Sequence, residues 1–323
     1  MRTATDPSTR PHSRTRRTAL MALVLAAGIA LTACGGGGSA TSTAAGTFAS
    51  GNADYDAVIN AGPVASADAV NGNAWAKAIK EAGVLRVGGT QTSQLFSLMN
   101  PATNTVIGFD SGLSQLLSRY ILGEVKTDLT IVQSATREEV ITSKAVDVVV
   151  ATYSILPARM EKIDFAGPYY ASQAGILVKA DNDTIKGVDD LNGKQVATQA
   201  GSSGVAILQE AAPGATIVEL PDDAQCVAAV ETGQVDAYVI DQALLLSGLL
   251  TNQNTKIVGQ PFGPVDAYGI GVFKGSEGKA FINQFLKDIV ADGTWEKLWK
   301  VTIQARTGVD QVATPPEIGS AGN

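Results

Sequence analysis

The residues that invite a chemical reading sit just past apolar runs. Arg159 follows the run that ends near Thr152, Asp241 follows the run that ends at Ile240, and Arg137 follows the run at residues 129–132. A planar guanidinium is the natural bidentate partner of a carboxylate, and a carboxylate is the natural partner of an ammonium. Gly201, Ser202, Ser203 and Gly204 lie between another apolar run and a helical stretch, where hydroxyls and free backbone N–H groups favour an anion. Together these groups suit a small zwitterion. Each also has a plain structural reading. Arg159 can pair with Glu161 or Asp164, Asp241 can cap the helix at 242–250, and the Gly-Ser-Ser-Gly stretch can be an ordinary turn. Arg137 stands in the first turn of a helix, where the dipole disfavours a cation. Either local pairing with Glu138 or Glu139 or a second anion in a cleft would account for it.

The elements that must position these groups alternate. Strands are expected at residues 84–87, 129–132, 146–150, 195–199, 216–220 and 235–240, and helices at 74–82, 108–122, 205–211 and 242–250. Thr136 and Glu139 have capping-box spacing at the start of a helix. Alternation of this kind indicates an α/β protein with parallel sheets. "AVDVVVAT" at 145–152 echoes "QVDAYVID" at 234–241, with Asp147 and Asp236 in matching places, as do Thr152 and Asp241. Two equivalent α/β lobes would produce the echo, and Thr152 and Asp241 would then face one cleft beyond the carboxyl ends of their strands. Val-Asp before an apolar strand is also common by chance.

Composition excludes several chemistries. The single histidine, His12, lies in an N-terminal stretch that reads as an export signal: Arg14, Arg16 and Arg17, a short apolar run at 19–31, then Leu31, Thr32, Ala33 and Cys34. That run is too short for a comfortable membrane span. The ending has the form of a lipobox, so Cys34 is expected to carry lipid. The competing reading is ordinary cleavage near Ala33, and the paired arginines leave twin-arginine export open. Without residues 1–33 the chain has no histidine, which removes His-based triads and His-ligated metal sites. Cys226 is then alone, so no disulfide framework is possible, and its apolar setting suits a small core residue. The formal charge of −7 becomes more negative once the basic leader is removed, which is unfavourable for nucleic-acid contact. The stretch at 35–51 is nearly all Gly, Ser, Thr and Ala and reads as a flexible tether reaching roughly 20–25 Å. No phosphate loop, dinucleotide fingerprint or Cys/His metal spacing is present.

The motif order resembles the family 3 extracellular solute-binding proteins, the polar amino-acid receptors of ABC importers. The resemblance runs over residues 83–301: "GVLRVG" at 83–88, "GFD" at 108–110, "VDVVVATYSILPAR" at 146–159, "IDFAGPYY" at 163–170, "DLNGKQVATQAGSS" at 190–203, "GQVDAYVID" at 233–241, "YGIGVFKG" at 268–275 and "DGTWEKLW" at 292–299. It implies a two-lobed, periplasmic-binding-protein-like (type II) α/β fold, with two parallel or mixed sheets joined by a two-strand hinge. The implied organisation is a lipoprotein signal peptide at 1–33, a tether and N-terminal extension at 34–73, lobe 1 at 83–173 plus 269–305, lobe 2 at 174–268 and a tail at 306–323.

By the same resemblance, Arg159 would hold an α-carboxylate and Asp241 an α-ammonium. Thr152 and Ser154 would add contacts from lobe 1, and Ser202 and Ser203 from lobe 2. Arg137 falls where glutamate- or aspartate-binding members place a side-chain-binding arginine. Thr152 departs from the family, where glycine is common, as does Leu156, where threonine is common. The loop at 89–101 lacks the usual aromatic lid pattern; Phe96 is the nearest candidate. The expectation is a monomeric receptor for glutamate, or aspartate and related polar amino acids, with no cofactor and no nucleic-acid partner. It would be held on the extracytoplasmic face of the membrane through Cys34 and would serve an ABC importer permease. The alternatives are a dehydratase on the same fold and a ligand-sensing subunit of a signalling system.

Overall fold

The computed structural model describes residues 47–309 and 314–321; the leader, Cys34 and most of the tether lie outside the described residues. Three helices come first: α1 (Ala53–Ala61), α2 (Ala67–Asn71) and α3 (Ala74–Ala82). The side chains of Asn52, Ser66 and Asn73 each accept a hydrogen bond from the first turn of the helix that follows. Such caps satisfy N–H groups that a helix start leaves open. The sequence offers no assignment for residues 52–73. The structure gives them α1 and α2 because α1 buries Tyr55 and Ile59 completely, and the Tyr55 hydroxyl donates to Gln115 Oε1 at 2.7 Å.

Next come β1 (Leu85–Gly89), β2 (Thr92–Ser93), β3 (Ser97–Asn100), β4 (Thr105–Ile107), α4 (Phe109–Leu122), β5 (Thr127–Ile131), α5 (Arg137–Thr142), β6 (Val148–Val149) and α6 (Pro157–Met160). A long strand, β7 (Ile163–Lys179), leads into β8 (Gln195–Gln199), α7 (Gly204–Ala211), β9 (Thr216–Leu220), α8 (Asp223–Thr232), β10 (Ala237–Asp241) and α9 (Gln242–Leu249). A second long strand, β11 (Thr255–Phe273), returns the chain to α10 (Gly278–Ala291), α11 (Thr294–Trp299) and α12 (Ala305–Thr307).

Eight strands form one continuous sheet in the order β5-β1-β6-β11-β7-β10-β8-β9; β2, β3 and β4 form a small second sheet. Strand β1 is parallel to β5 and β6, and β8 is parallel to β9 and β10. Between these two parallel sets, β7 and β11 run antiparallel to each other and to their neighbours. The crossing pair joins what would otherwise be two sheets. Its register shifts between Val258 and Phe262 and again between Phe262 and Asp266. Helices cover both faces of each parallel set. Phe109, Leu116, Phe285 and Trp295 lead the core of the first; Val196, Leu208, Val230 and Tyr238 lie in the cores of the second.

The internal echo has a structural counterpart. Asp147 Oδ2 accepts from the Arg86 N–H at 2.8 Å, and Asp236 Oδ2 accepts from the Gln195 N–H at 2.8 Å. Each aspartate ties the entry of β6 or β10 to the start of the parallel strand beside it. The expected capping box at Thr136 and Glu139 does not form. The Thr136 hydroxyl instead accepts from the Gln133 N–H at 3.2 Å, one turn earlier. Cys226 is fully buried, which pushes its thiol up to about 12, as suits a core residue. The C-terminal segment also packs on the body. The Gly319 N–H donates to the Gly167 carbonyl at 2.9 Å, Lys279 Nζ donates to the Ala321 carbonyl at 3.0 Å, and Ala321 is buried.

Candidate functional site

The turn after β6 organises one wall of the cleft. Thr152 has φ +43°, a left-handed conformation unusual for a β-branched residue. Its N–H donates to Asp110 Oδ2 at 2.6 Å, and the Tyr169 hydroxyl donates to Asp110 Oδ1 at 2.8 Å. Asp110 therefore fastens the turn to α4. Burial pushes its carboxyl up to about 7; the two hydrogen bonds and the Arg137 charge oppose that rise.

The turn presents Tyr153, and both candidate arginines gather on it. The guanidinium carbon of Arg137 lies 4.2 Å from the Tyr153 ring centroid and that of Arg159 lies 5.0 Å away. Both contacts are within cation–π range. Arg137 donates from Nη1 to the Ala151 carbonyl at 3.0 Å and from Nε to the Ser134 carbonyl at 3.2 Å. Burial, and then the Arg159 charge, push Arg137 down to about 10. Arg159 donates from Nη1 to the Ser154 carbonyl at 2.8 Å and from Nη2 to the Gly201 carbonyl at 2.7 Å. Its Nε lies 3.4 Å from Glu138 Oε1. The ion pair is thus Arg159 with Glu138, rather than Arg159 with Glu161 or Asp164, or Arg137 with Glu138. Proline at the start of α6 fixes this short helix and turns Arg159 inward.

The opposite wall comes from β8 and β10. The Ser202 side chain accepts from the Gly204 N–H at 3.2 Å and touches Thr198 Oγ1 at 3.3 Å. Ser203 is buried, with its hydroxyl 3.4 Å from that of Ser154, and Ser134 donates to Gln199 Oε1 at 3.1 Å. With the Arg159–Gly201 bond, these contacts hold the two walls against each other.

Asp241 is buried at the end of β10 and makes no side-chain cap to α9, which removes the capping reading. Burial first, then the neighbouring Asp266 charge, push its carboxyl well above the ordinary range; Tyr268 and Arg137 oppose this. Asp266 Oδ2 accepts from the Ser154 hydroxyl at 2.9 Å.

A cavity of about 480 Å³ opens between the walls, within the usual size range of ligand pockets. Arg137, Thr152, Ser134 and Gln199 line it, together with Thr90 and Asp222. Arg159, Ser154, Ser202, Ser203 and Asp241 are not in its lining; Arg137, which shares the Tyr153 ring with Arg159, connects the two groups. Phe96 is buried edge-on against Tyr170 and Tyr268, at 5.4 Å and 6.2 Å. It supports the tyrosines behind the cleft and does not line the cavity as a lid.

Sequence reasoning passes over Asp110, Tyr153, Asp266 and Tyr268. The last two have one visible signal, a polar pair at strand spacing inside an apolar run. Among the described residues no group of His, Cys, Asp and Glu side chains has the arrangement of a metal site.

A fold of two parallel sets joined by crossing strands, with charged side chains buried at the strand ends between them, is the arrangement of a two-lobed binding protein. The chain belongs to the bacterial extracellular solute-binding proteins, family 3, whose model matches residues 85–301. It is 33% identical over 230 residues to the ABC transporter glutamine-binding protein GlnH of Bacillus subtilis, covering 70% of this chain and 84% of that one. It is 30% identical over 267 residues to the glutamate-binding protein GluB of Corynebacterium glutamicum, covering 79% and 90%. The solved structure of a cysteine-binding protein from Campylobacter jejuni matches with a TM-score of 0.69 at 25% identity, over 74% of this chain and 96% of that one. These relatives are solute-binding proteins and not enzymes, so the dehydratase reading is set aside. No helix of the described residues is long and apolar enough to cross a membrane.

Proposed function

We propose that this protein is the amino-acid receptor of an ABC importer, held on the outer face of the cell membrane through lipid on Cys34, and that its ligand is glutamate or aspartate. The carrying observation is the pair of buried arginines on one tyrosine ring, with the buried Asp241 as their counterpart at the end of β10. A guanidinium has five N–H donors. Arg159 donates two to carbonyls and turns its Nε toward Glu138, leaving one on each terminal nitrogen, a fork for the ligand α-carboxylate. Arg137 keeps three, faces the cavity and takes the side-chain carboxylate. Asp241 takes the α-ammonium, while Thr152, Ser154, Ser202 and Ser203 complete the hydrogen bonding.

The described contacts between the walls then represent the closed form. Its hinge lies in β7 and β11, with lobe boundaries at 173/174 and 268/269, and the permease recognises closure. The glutamine- and glutamate-binding relatives support the class of ligand; Arg137 favours the acids over the amides.

Calorimetric titration of the purified protein with glutamate, aspartate, glutamine and asparagine tests the reading. Micromolar or tighter binding of the acids, about −8 kcal/mol or better, with the amides much weaker, supports it. Preference for an amide overturns the role of Arg137, and no binding of any of the four overturns the amino-acid reading.

A further inference from the structure

Asp266 and Tyr268 stand two residues apart on β11, so their side chains leave the strand on the same face. Asp266 is opposite Ser172 of β7, and Tyr268 is opposite Tyr170. Strand β7 also carries β10, with Ala174 opposite Asp241. This register brings Asp266 and Tyr268 beside Asp241 at the crossing strands. All three side chains are buried, exposed by 6%, 0% and 4% respectively.

A buried carboxylate needs a cation or a full set of hydrogen-bond donors. Ser154 supplies one donor, to Asp266 Oδ2. Asp241 Oδ1, Asp266 Oδ1 and the Tyr268 hydroxyl meet no partner at full hydrogen-bond geometry among the described residues, although Tyr268 and Asp266 both lie close enough to Asp241 to act on it. The charged and titratable groups that act on Asp241 are Asp266 and Tyr268 from β11 and Arg137 from α5, and the Tyr268 hydroxyl also faces Ser172 of β7. Arg137 is committed to the carbonyls of Ala151 and Ser134 and acts on Asp241 only through space. Burial, and then the Asp266 charge beside it, favour the neutral form of Asp241, so without a bound cation Asp241 keeps its proton.

We propose that Asp266 is a second carboxylate of the ammonium seat: Asp241 Oδ1, Asp266 Oδ1 and the Tyr268 hydroxyl oxygen accept the three N–H bonds of a primary ammonium, and ligand entry expels the proton that Asp241 otherwise holds. The inference rests on the amino-acid reading above. The ammonium keeps its three protons, the expelled proton passes to solvent, and no covalent bond changes. Because binding releases a proton, affinity rises with pH. The seat selects primary amines, since each N-methyl group removes one N–H.

The test is calorimetric titration of the full-length chain with glutamate at pH 6, 7 and 8, in buffers of different ionisation heat. The wild type should release about one proton per ligand at pH 6, with affinity rising by up to about tenfold per pH unit. Asp266→Asn should release less, bind about tenfold more weakly at pH 8, and approach the wild type toward pH 6. Tyr268→Phe should bind more weakly yet keep the proton release, and Asp266→Glu should restore it. Wild-type binding without proton release, or Asp266→Asn with the wild-type proton count and affinity, overturns this inference alone. A wild type that binds no amino acid overturns the amino-acid reading and this inference with it.

Discussion

The two charged walls of the cleft are held in opposite ways. At the β6–α6 turn, Arg137 and Arg159 share one aromatic ring and spend four donors on four backbone carbonyls, and Arg159 is ion-paired with Glu138. At the crossing strands, Asp241 and Asp266 each keep an oxygen with no partner at full hydrogen-bond geometry among the described residues. The guanidiniums of the cation wall are therefore positioned by the protein's own carbonyls, the Gly201 one reaching across the cleft. The acid wall carries unmet demand that a ligand ammonium can satisfy. Preorganised donors lower the ordering needed on binding, while unmet buried acceptors make the site reject a ligand that lacks the matching donor.

Removing parts of each wall should separate these roles. The largest effect is expected for Arg159→Ala, which deletes the carboxylate fork and strands Glu138 and the Gly201 carbonyl. Glutamate binding should weaken by about 3 kcal/mol or more, read by calorimetry, with a thermal melt confirming the fold. Asp241→Asn comes next, with a loss of about 2–3 kcal/mol of binding. Its melting temperature should hold or rise, because a buried acid without a full set of partners has been removed. A large fall in melting temperature instead would mean that the acid wall is as settled as the cation wall. Arg137→Ala should weaken the acidic ligands by about 1–2 kcal/mol and leave glutamine nearly unchanged; equal losses would remove its side-chain role. Glu138→Gln should have the smallest effect, about 0.5–1 kcal/mol, through looser positioning of Arg159.

The cation wall was legible in the sequence and the acid wall was only half so. Arg137 stands out because a cation in the first turn of a helix is locally unfavourable, and Arg159 because it follows a buried strand beside a proline. Asp241 stands out for the same position on β10. Asp266 lies within a strand, and its meaning depends on how β11, β7 and β10 align, a pairing between residues far apart in the chain. Tyr153 reads as one more apolar residue until two guanidiniums are placed on its ring. The strands at 195–199 and 216–220 match their expected bounds because Gly193 and Gly201 bracket the first and Gly214 and Pro221 bracket the second. β6 shrinks to Val148–Val149, because its neighbours turn early into the Thr152 bend. Helices α1 and α2 were missed because their Ala-rich stretches lack a clear apolar stripe; their stability comes from caps and from Tyr55 and Ile59 buried against the body.

The most direct measurement compares glutamate with two analogues by calorimetry: glutarate, which lacks the ammonium, and 4-aminobutyrate, which lacks the α-carboxylate. A site that holds a zwitterion between the two walls should bind each analogue at least about a hundredfold more weakly than glutamate, about 2.7 kcal/mol. Glutarate binding as tightly as glutamate would show that the acids do not read an ammonium. Equal binding of 4-aminobutyrate would show that Arg159 does not hold the α-carboxylate. Either result would contradict the account.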